Sequence, residues 1–253
     1  MSLKQILNNP LLLVISLLLN LVLITGLIYT LQKARQYYED YRVFRPMAHG
    51  TSEASTFTPP ENNAQKLMVM YGDSRVQEWT PLPRLENTLV VNAGVSGETL
   101  REIRRRLHKD VLRLNPDVVL LQAGMNDLTA AATRGVEQPE KIIRRMKSGM
   151  KSLVEELTAR NIDVIMTPII PAKPLNIGRK VFWRDEIDSL LADANIYLKS
   201  LADQHELQWI DLLEPLHNDS GELRTDWYFD TLHLHTARYN DLNTMVEKLL
   251  NQP

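Results

Sequence analysis

Residues 66–75 read KLMVMYGDSR, five consecutive apolar side chains from Leu67 to Tyr71 closed by Gly72-Asp73-Ser74. A run this short and this uniformly apolar predicts a strand buried on both faces, stopped by a tight turn. Four similar runs follow: NTLVVNAG (87–94), DVVLLQAG (117–124), DVIMTPII (163–170) and LQWIDLL (207–213). Between them apolar residues recur at helical spacing, at Leu100, Ile103, Leu107, Val111 and Leu114, and again at Ile142, Met146, Met150, Leu153 and Leu157. Two more helices are expected, over Phe182–His205 and Ala237–Leu250. Alternating strands and helices predict an α/β fold, a three-layer α/β/α sandwich around a central parallel sheet, with no internal repeat and no second domain. Such sheets bind ligands beyond the carboxyl ends of their strands. The residues expected there are Gly72-Asp73-Ser74-Arg75, the loop Asn92–Thr99, Gly124-Met125-Asn126-Asp127, and Asp230-Thr231-Leu232-His233 ahead of the last helix.

The chain has 253 residues, 44% hydrophobic and 24% charged, enough for one globular domain with an additional terminal segment. A net charge of -2 supplies no global basic field, which argues against a nucleic-acid partner. Cysteine is absent, which excludes disulfides, thiolate metal sites, cysteine nucleophiles and acylation on cysteine.

Residues 11–31 carry no charge, and a helix of that length covers roughly 30 Å of hydrocarbon. The stretch exceeds the usual apolar core of a signal peptide and no A-x-A-like site follows it, so an uncleaved membrane anchor over residues 1–31 is expected. Lys4 flanks one side and Lys33, Arg35, Arg42 and Arg45 the other, a local count that opposes export. A short tail, one span and a large domain are nevertheless how many exported, anchored enzymes begin. The expectation is a single-pass protein of the bacterial inner membrane with a periplasmic domain. Residues 32–63 read as a juxtamembrane segment and linker, since 46–63 are rich in Ser, Thr, Pro and Glu without apolar period, and the globular domain is expected over 64–253.

Any one of the four loop motifs is read most simply as turn and cap chemistry, with Ser74, Asn126 and Asp230 as helix caps and Gly97 as a turn residue. Together, in this order and each at its expected loop, GDS, a Gly-bearing loop, GxND and DxxH resemble the SGNH (GDSL-like) hydrolase family, from about Lys66 to Leu250. That resemblance implies a flavodoxin-like hydrolase fold and a serine esterase that needs no metal or organic cofactor. It gives Ser74 as nucleophile, His233 as base and Asp230 as the carboxylate orienting it. The oxyanion donors it implies are the N–H groups of Ser74 and Gly97 and the Asn126 amide. The chemistry suits these residue types, because a serine hydroxyl attacks well only when a neighbouring base takes its proton.

Two positions depart from the family pattern. Arg75 stands where an aliphatic residue is common; it reads either as a surface arginine paired with Glu78, or as a substrate contact for phosphate or carboxylate. His235 is a second candidate base, although the DxxH register favours His233. Arg101, Arg104, Arg105, Arg106 and Lys109 read as a solvated helix face, and Trp227 and Tyr228 as packing or a pocket wall. The expected substrate is a carboxylic ester, either an acyl lipid such as a lysophospholipid or an O-acetyl group on a glycan. The alternatives are an O-acyltransferase acting on surface glycans and an inactive membrane-tethered binding protein.

Overall fold

A computed structural model of the chain describes residues 10–39, 51–59, 65–133, 138–174, 180, 183–184 and 186–251. The chain divides into two compact units, Met1–Arg45 and Pro46–Pro253. The first contains helix α1 (Pro10–Glu39), of which Pro10–Ala34 is long and apolar enough to cross a membrane. Its large apolar side chains are exposed all round.

In the second unit, strands β1 (Lys66–Gly72), β2 (Thr88–Gly94), β3 (Val118–Gln122), β4 (Asp163–Met166) and β5 (Gln208–Trp209) form one parallel sheet in the order β2-β1-β3-β4-β5. Its helices are α2 (Ser74–Gln77), α3 (Leu100–Asp110), α4 (Met125–Ala132), α5 (Pro139–Thr158), α6 (Ile187–Gln204) and α7 (Tyr239–Leu250). Side chains alternate across β1: Leu67, Val69 and Tyr71 enter one core with α3, α5 and α6, whereas Met68 and Met70 enter another with Trp79 and α7. Both faces of the strand are therefore apolar, which is why its sequence shows no alternation. The sandwich expected from the sequence is the observed fold.

Register positions the loops. Gly72 pairs with Gly94 on one side and with Gln122 on the other, so β1, β2 and β3 end at one level and their motif loops leave the sheet side by side. The strand order places β1 between β2 and β3, at the point where connections diverge to opposite sides of the sheet, the usual ligand crevice of this architecture.

Two expectations need correction. Residues 51–59, expected as linker, pack onto the globular unit: Ala54 is fully buried, Ser52 donates to Asp110 Oδ2 at 2.7 Å, and Arg113 bonds the carbonyls of Ala54 and Phe57. Bonds to Asp110 at the end of α3 and to Arg113 just beyond it, with apolar contact from Ala54 and Phe57, hold this otherwise polar segment. Helix α6 begins at Ile187 rather than Phe182, which lies outside the described residues.

Candidate active site

Ser74 is the first residue of α2, immediately beyond β1. Asp73 caps this turn by accepting the Arg75 N–H at 3.1 Å. The turn is pressed against the end of β2: Asn92 donates to Val76 O at 2.6 Å, and a side chain on Gly94 would come within 2.0 Å of Gln77 N. Only glycine permits that approach, so Gly94 helps fix where the Ser74 turn sits.

His233 arrives from the other end of the chain. Its Nε2 lies 2.9 Å from Ser74 Oγ and its Nδ1 lies 2.9 Å from Asp230 Oδ2. The other Asp230 oxygen accepts the N–H groups of Leu232 and His233 at 2.7 and 2.8 Å. Burial pushes the Asp230 carboxyl up, but the hydrogen bonds from the His233 ring and from the two backbone N–H groups outweigh it and hold the pKa below the usual value. An ionised Asp230 favours the tautomer with the proton on Nδ1 and leaves Nε2 to accept from the hydroxyl. The arrangement is chemically able to draw the Ser74 proton away as Oγ attacks an electrophile.

The loop after β2 and the start of α4 meet beside this relay. Asn126 Nδ2 donates to Glu98 O at 3.0 Å, which sets the amide against the Gly97-Glu98 turn. Gly97 has φ 76°, a left-handed conformation that glycine adopts without penalty. Arg106 braces the loop from below, bonding Glu98 Oε2 at 2.5 Å, Ala93 O at 2.6 Å and Gly72 O at 2.7 Å. One guanidinium thus ties together the ends of β1 and β2 and the loop that bears Gly97.

Of the sequence-predicted residues, Ser74, His233 and Asp230 form one hydrogen-bonded chain, and Asn126 and Gly97 lie at a shared turn. Arg75 departs from its reading as a surface arginine paired with Glu78. It is neither at the surface nor paired with Glu78, being 1% exposed with its guanidinium hydrogen-bonded to backbone carbonyls. Those bonds join the planar fork to the segment beyond β4 and to the loop that carries His233. His235 is exposed and stands beside Phe229, their rings 6.3 Å apart. Trp227 and Tyr228 are buried packing residues, with the Tyr228 hydroxyl donating to Pro171 O.

Sequence reasoning missed the proximity of Glu78 to His233, with Glu78 Oε1 3.9 Å from His233 Nε2. Burial, followed by the Asp230 and Asp73 charges, raises its pKa against the opposing pull of His233 and Arg75. Its spacing, four residues after Ser74 at the end of a single helical turn, was the available signal.

Asp127, the last residue of the third motif, is buried and accepts the Leu100 N–H at 2.9 Å, capping α3 from another helix. Burial pushes its pKa from 3.8 up to about 7. A folded-state value above the unfolded one means that the folded protein holds an extra proton between them. The associated stability is complete below about pH 4 and is lost as pH rises through 7. Asp127→Asn keeps an acceptor for Leu100 and removes the titration. Its stability relative to the parent is expected to grow by about 2–4 kcal/mol from pH 4 to pH 8. Urea denaturation at both pH values checks this; parallel pH profiles would refute it.

A profile of the GDSL-like lipase/acylhydrolase family matches residues 64–240, a span that contains all four motifs. The chain belongs to this family. It is an ester-hydrolysing enzyme by that membership. Among solved structures, an acylhydrolase described as putative from Bacteroides fragilis superposes with TM-score 0.62 at 21% identity, covering 79% of this chain and 93% of that one. An acetylxylan esterase from Geobacillus stearothermophilus superposes with TM-score 0.58 at 18% identity, covering 76% and 96%. At these identities the likeness is one of fold. An uncharacterized lipoprotein of Bacillus subtilis is 27% identical over 112 residues, 43% of this chain. That match spans 45% of the relative's length.

Proposed function

We propose that this acylhydrolase is a membrane-anchored serine esterase in which Ser74 is the nucleophile, His233 the general base and acid, and Asp230 the carboxylate that orients it. The observation carrying this reading is the unbroken chain from Ser74 Oγ through the His233 ring to Asp230, with both links at 2.9 Å. In the acylation step Oγ adds to the ester carbonyl while Nε2 takes its proton. The tetrahedral intermediate collapses as Nε2 returns that proton to the leaving alcohol, and water then repeats the sequence on the acyl-enzyme. The N–H groups of Ser74 and Gly97 and the Asn126 amide receive the developing oxyanion.

The substrate is a carboxylic ester, an O-acetyl group on a glycan or an acyl lipid such as a lysophospholipid. The fold's likeness to an acetylxylan esterase favours the first, and the apolar helix at the N-terminus favours the second. The B. subtilis relative is named a lipoprotein. This chain has no cysteine for a thioether-linked lipid, so the helix over Pro10–Ala34 is the membrane attachment its own sequence offers. The order of short tail, single apolar span and large domain favours a periplasmic catalytic unit.

A fluorophosphonate, which traps activated serines, tests the nucleophile. Intact mass is expected to show one adduct on the parent chain and none on Ser74→Ala. A folded parent that takes no adduct would favour an inactive binding relative. Release of acetate from acetylated oligosaccharides, against release of long-chain acid from lysophospholipids, separates the two substrates, and acyl transfer to added sugar would reveal a transferase.

A further inference from the structure

We propose that Arg75 is a positioning residue for the catalytic base, a buried clamp holding the His233 loop in register with the Ser74 turn. The proposal rests on the reading of Ser74 and His233 as nucleophile and base. A guanidinium withdrawn from water must be fully engaged, since a buried cation left without acceptors is strongly unfavourable. Arg75 is engaged by three carbonyls from two distant segments. Its Nε and Nη2 reach Leu232 O at 3.0 and 2.8 Å, Nη2 also reaches Pro171 O at 3.1 Å, and Nη1 bonds Ile170 O.

The target of the Nε and Nη2 bonds explains why this matters. Leu232 C=O and His233 N–H belong to one peptide unit. Arg75 holds the oxygen of that unit, while Asp230 Oδ1 holds its N–H at 2.8 Å. With both ends of a rigid plane fixed, the point from which the His233 side chain departs is fixed as well. The loop is further tied to the segment beyond β4, through Lys173 N–H to Thr231 O at 2.8 Å and Tyr228 O–H to Pro171 O at 3.0 Å. Arg75 adds the missing link, from both of these segments to the residue adjoining the nucleophile. A planar fork can grip two carbonyls in fixed geometry; a lysine ammonium offers a single point charge on a flexible stem. An aliphatic side chain at this position would leave the carbonyls of Leu232 and Ile170 without the donors they now have.

Full-length Arg75→Gln and Arg75→Lys test the clamp, with Val154→Ala, a buried change in α5, as a control for general loss of stability. A displacement of the base by about 1 Å is worth on the order of 100-fold in rate. Both Arg75 variants are expected to lose about 30–300-fold in kcat and in fluorophosphonate labelling of Ser74, with KM unchanged for neutral and anionic esters alike. Hydrogen exchange at the amides of Leu232, His233 and Lys173 is expected to accelerate at least about 10-fold, whereas Val154→Ala leaves those amides and kcat near the parent. Wild-type kcat and exchange in Arg75→Lys would overturn the proposal. So would a KM increase confined to anionic esters, which would make Arg75 a substrate contact. Faster exchange at Leu232 and His233 in a protein whose parent form is never labelled at Ser74 would support the clamp and sink the esterase reading instead.

Discussion

His233→Ala is expected to lower kcat on a simple acetyl ester by about 10,000-fold or more, while His235→Ala stays within a few-fold of the parent. The two histidines are separated by one residue, and their geometry separates them completely. His233 sits between Ser74 Oγ and the Asp230 carboxylate, whereas His235 is exposed at the start of the turn leading into α7. An alanine at 233 removes the ring nitrogen 2.9 Å from the Ser74 hydroxyl, and an unassisted serine hydroxyl is a poor nucleophile at neutral pH. Asp230 remains ionised in either variant and retains the backbone N–H of Leu232, so the loop loses no capping charge. Circular dichroism is therefore expected to show a folded protein in both cases. Near-parental turnover by His233→Ala with collapse in His235→Ala would transfer the base to His235.

The features legible in the sequence are those enforced by local physics. A strand buried on both faces must be apolar throughout, and a motif loop must follow it, so β1 to β4 and their loops could be placed from the chain alone. Helix α4 escaped because all eight of its residues are buried, leaving MNDLTAAA without the polar face that gives a helix its 3.6-residue period. The packing of 51–59 escaped for the opposite reason: apart from Ala54 and Phe57, its attachment is made by polar bonds among Ser52, Asp110 and Arg113 and the segment's backbone, which resemble linker chemistry until the partner elements are seen.

Arg75 shows the same limit at the site. Its residue type permitted a surface ion pair or an anion contact, and both are local readings. Its acceptors are 95 and more residues away in sequence, on loops whose proximity only the sheet order creates. A buried guanidinium bonded to carbonyls of distant loops is conspicuous in three dimensions and invisible in one. Arg106 behaves alike, reaching back to the ends of two strands from a helix whose other cations, Arg101, Arg104, Arg105 and Lys109, face solvent as expected.

Asn126→Ala is expected to lower kcat by about 100–1,000-fold with little change in KM, the signature of an interaction made mainly in the transition state. The amide nitrogen donates to Glu98 O at 3.0 Å. That bond positions the nitrogen beside Gly97, whose own N–H belongs to the loop braced by Arg106. Donors held this way need no reorganisation as charge develops on the carbonyl oxygen, and their contribution exceeds that of the same bonds in water. Asn126→Asp supplies a sharper contrast, because the side chain is nearly isosteric but presents oxygen in place of the amide N–H. A carboxylate there would repel the oxyanion as well as fail to donate, so its kcat should fall below that of Asn126→Ala. Equal activity of the Ala and Asp variants, or a loss expressed in KM alone, would remove Asn126 from the oxyanion site and leave it as a brace for the Glu98 backbone.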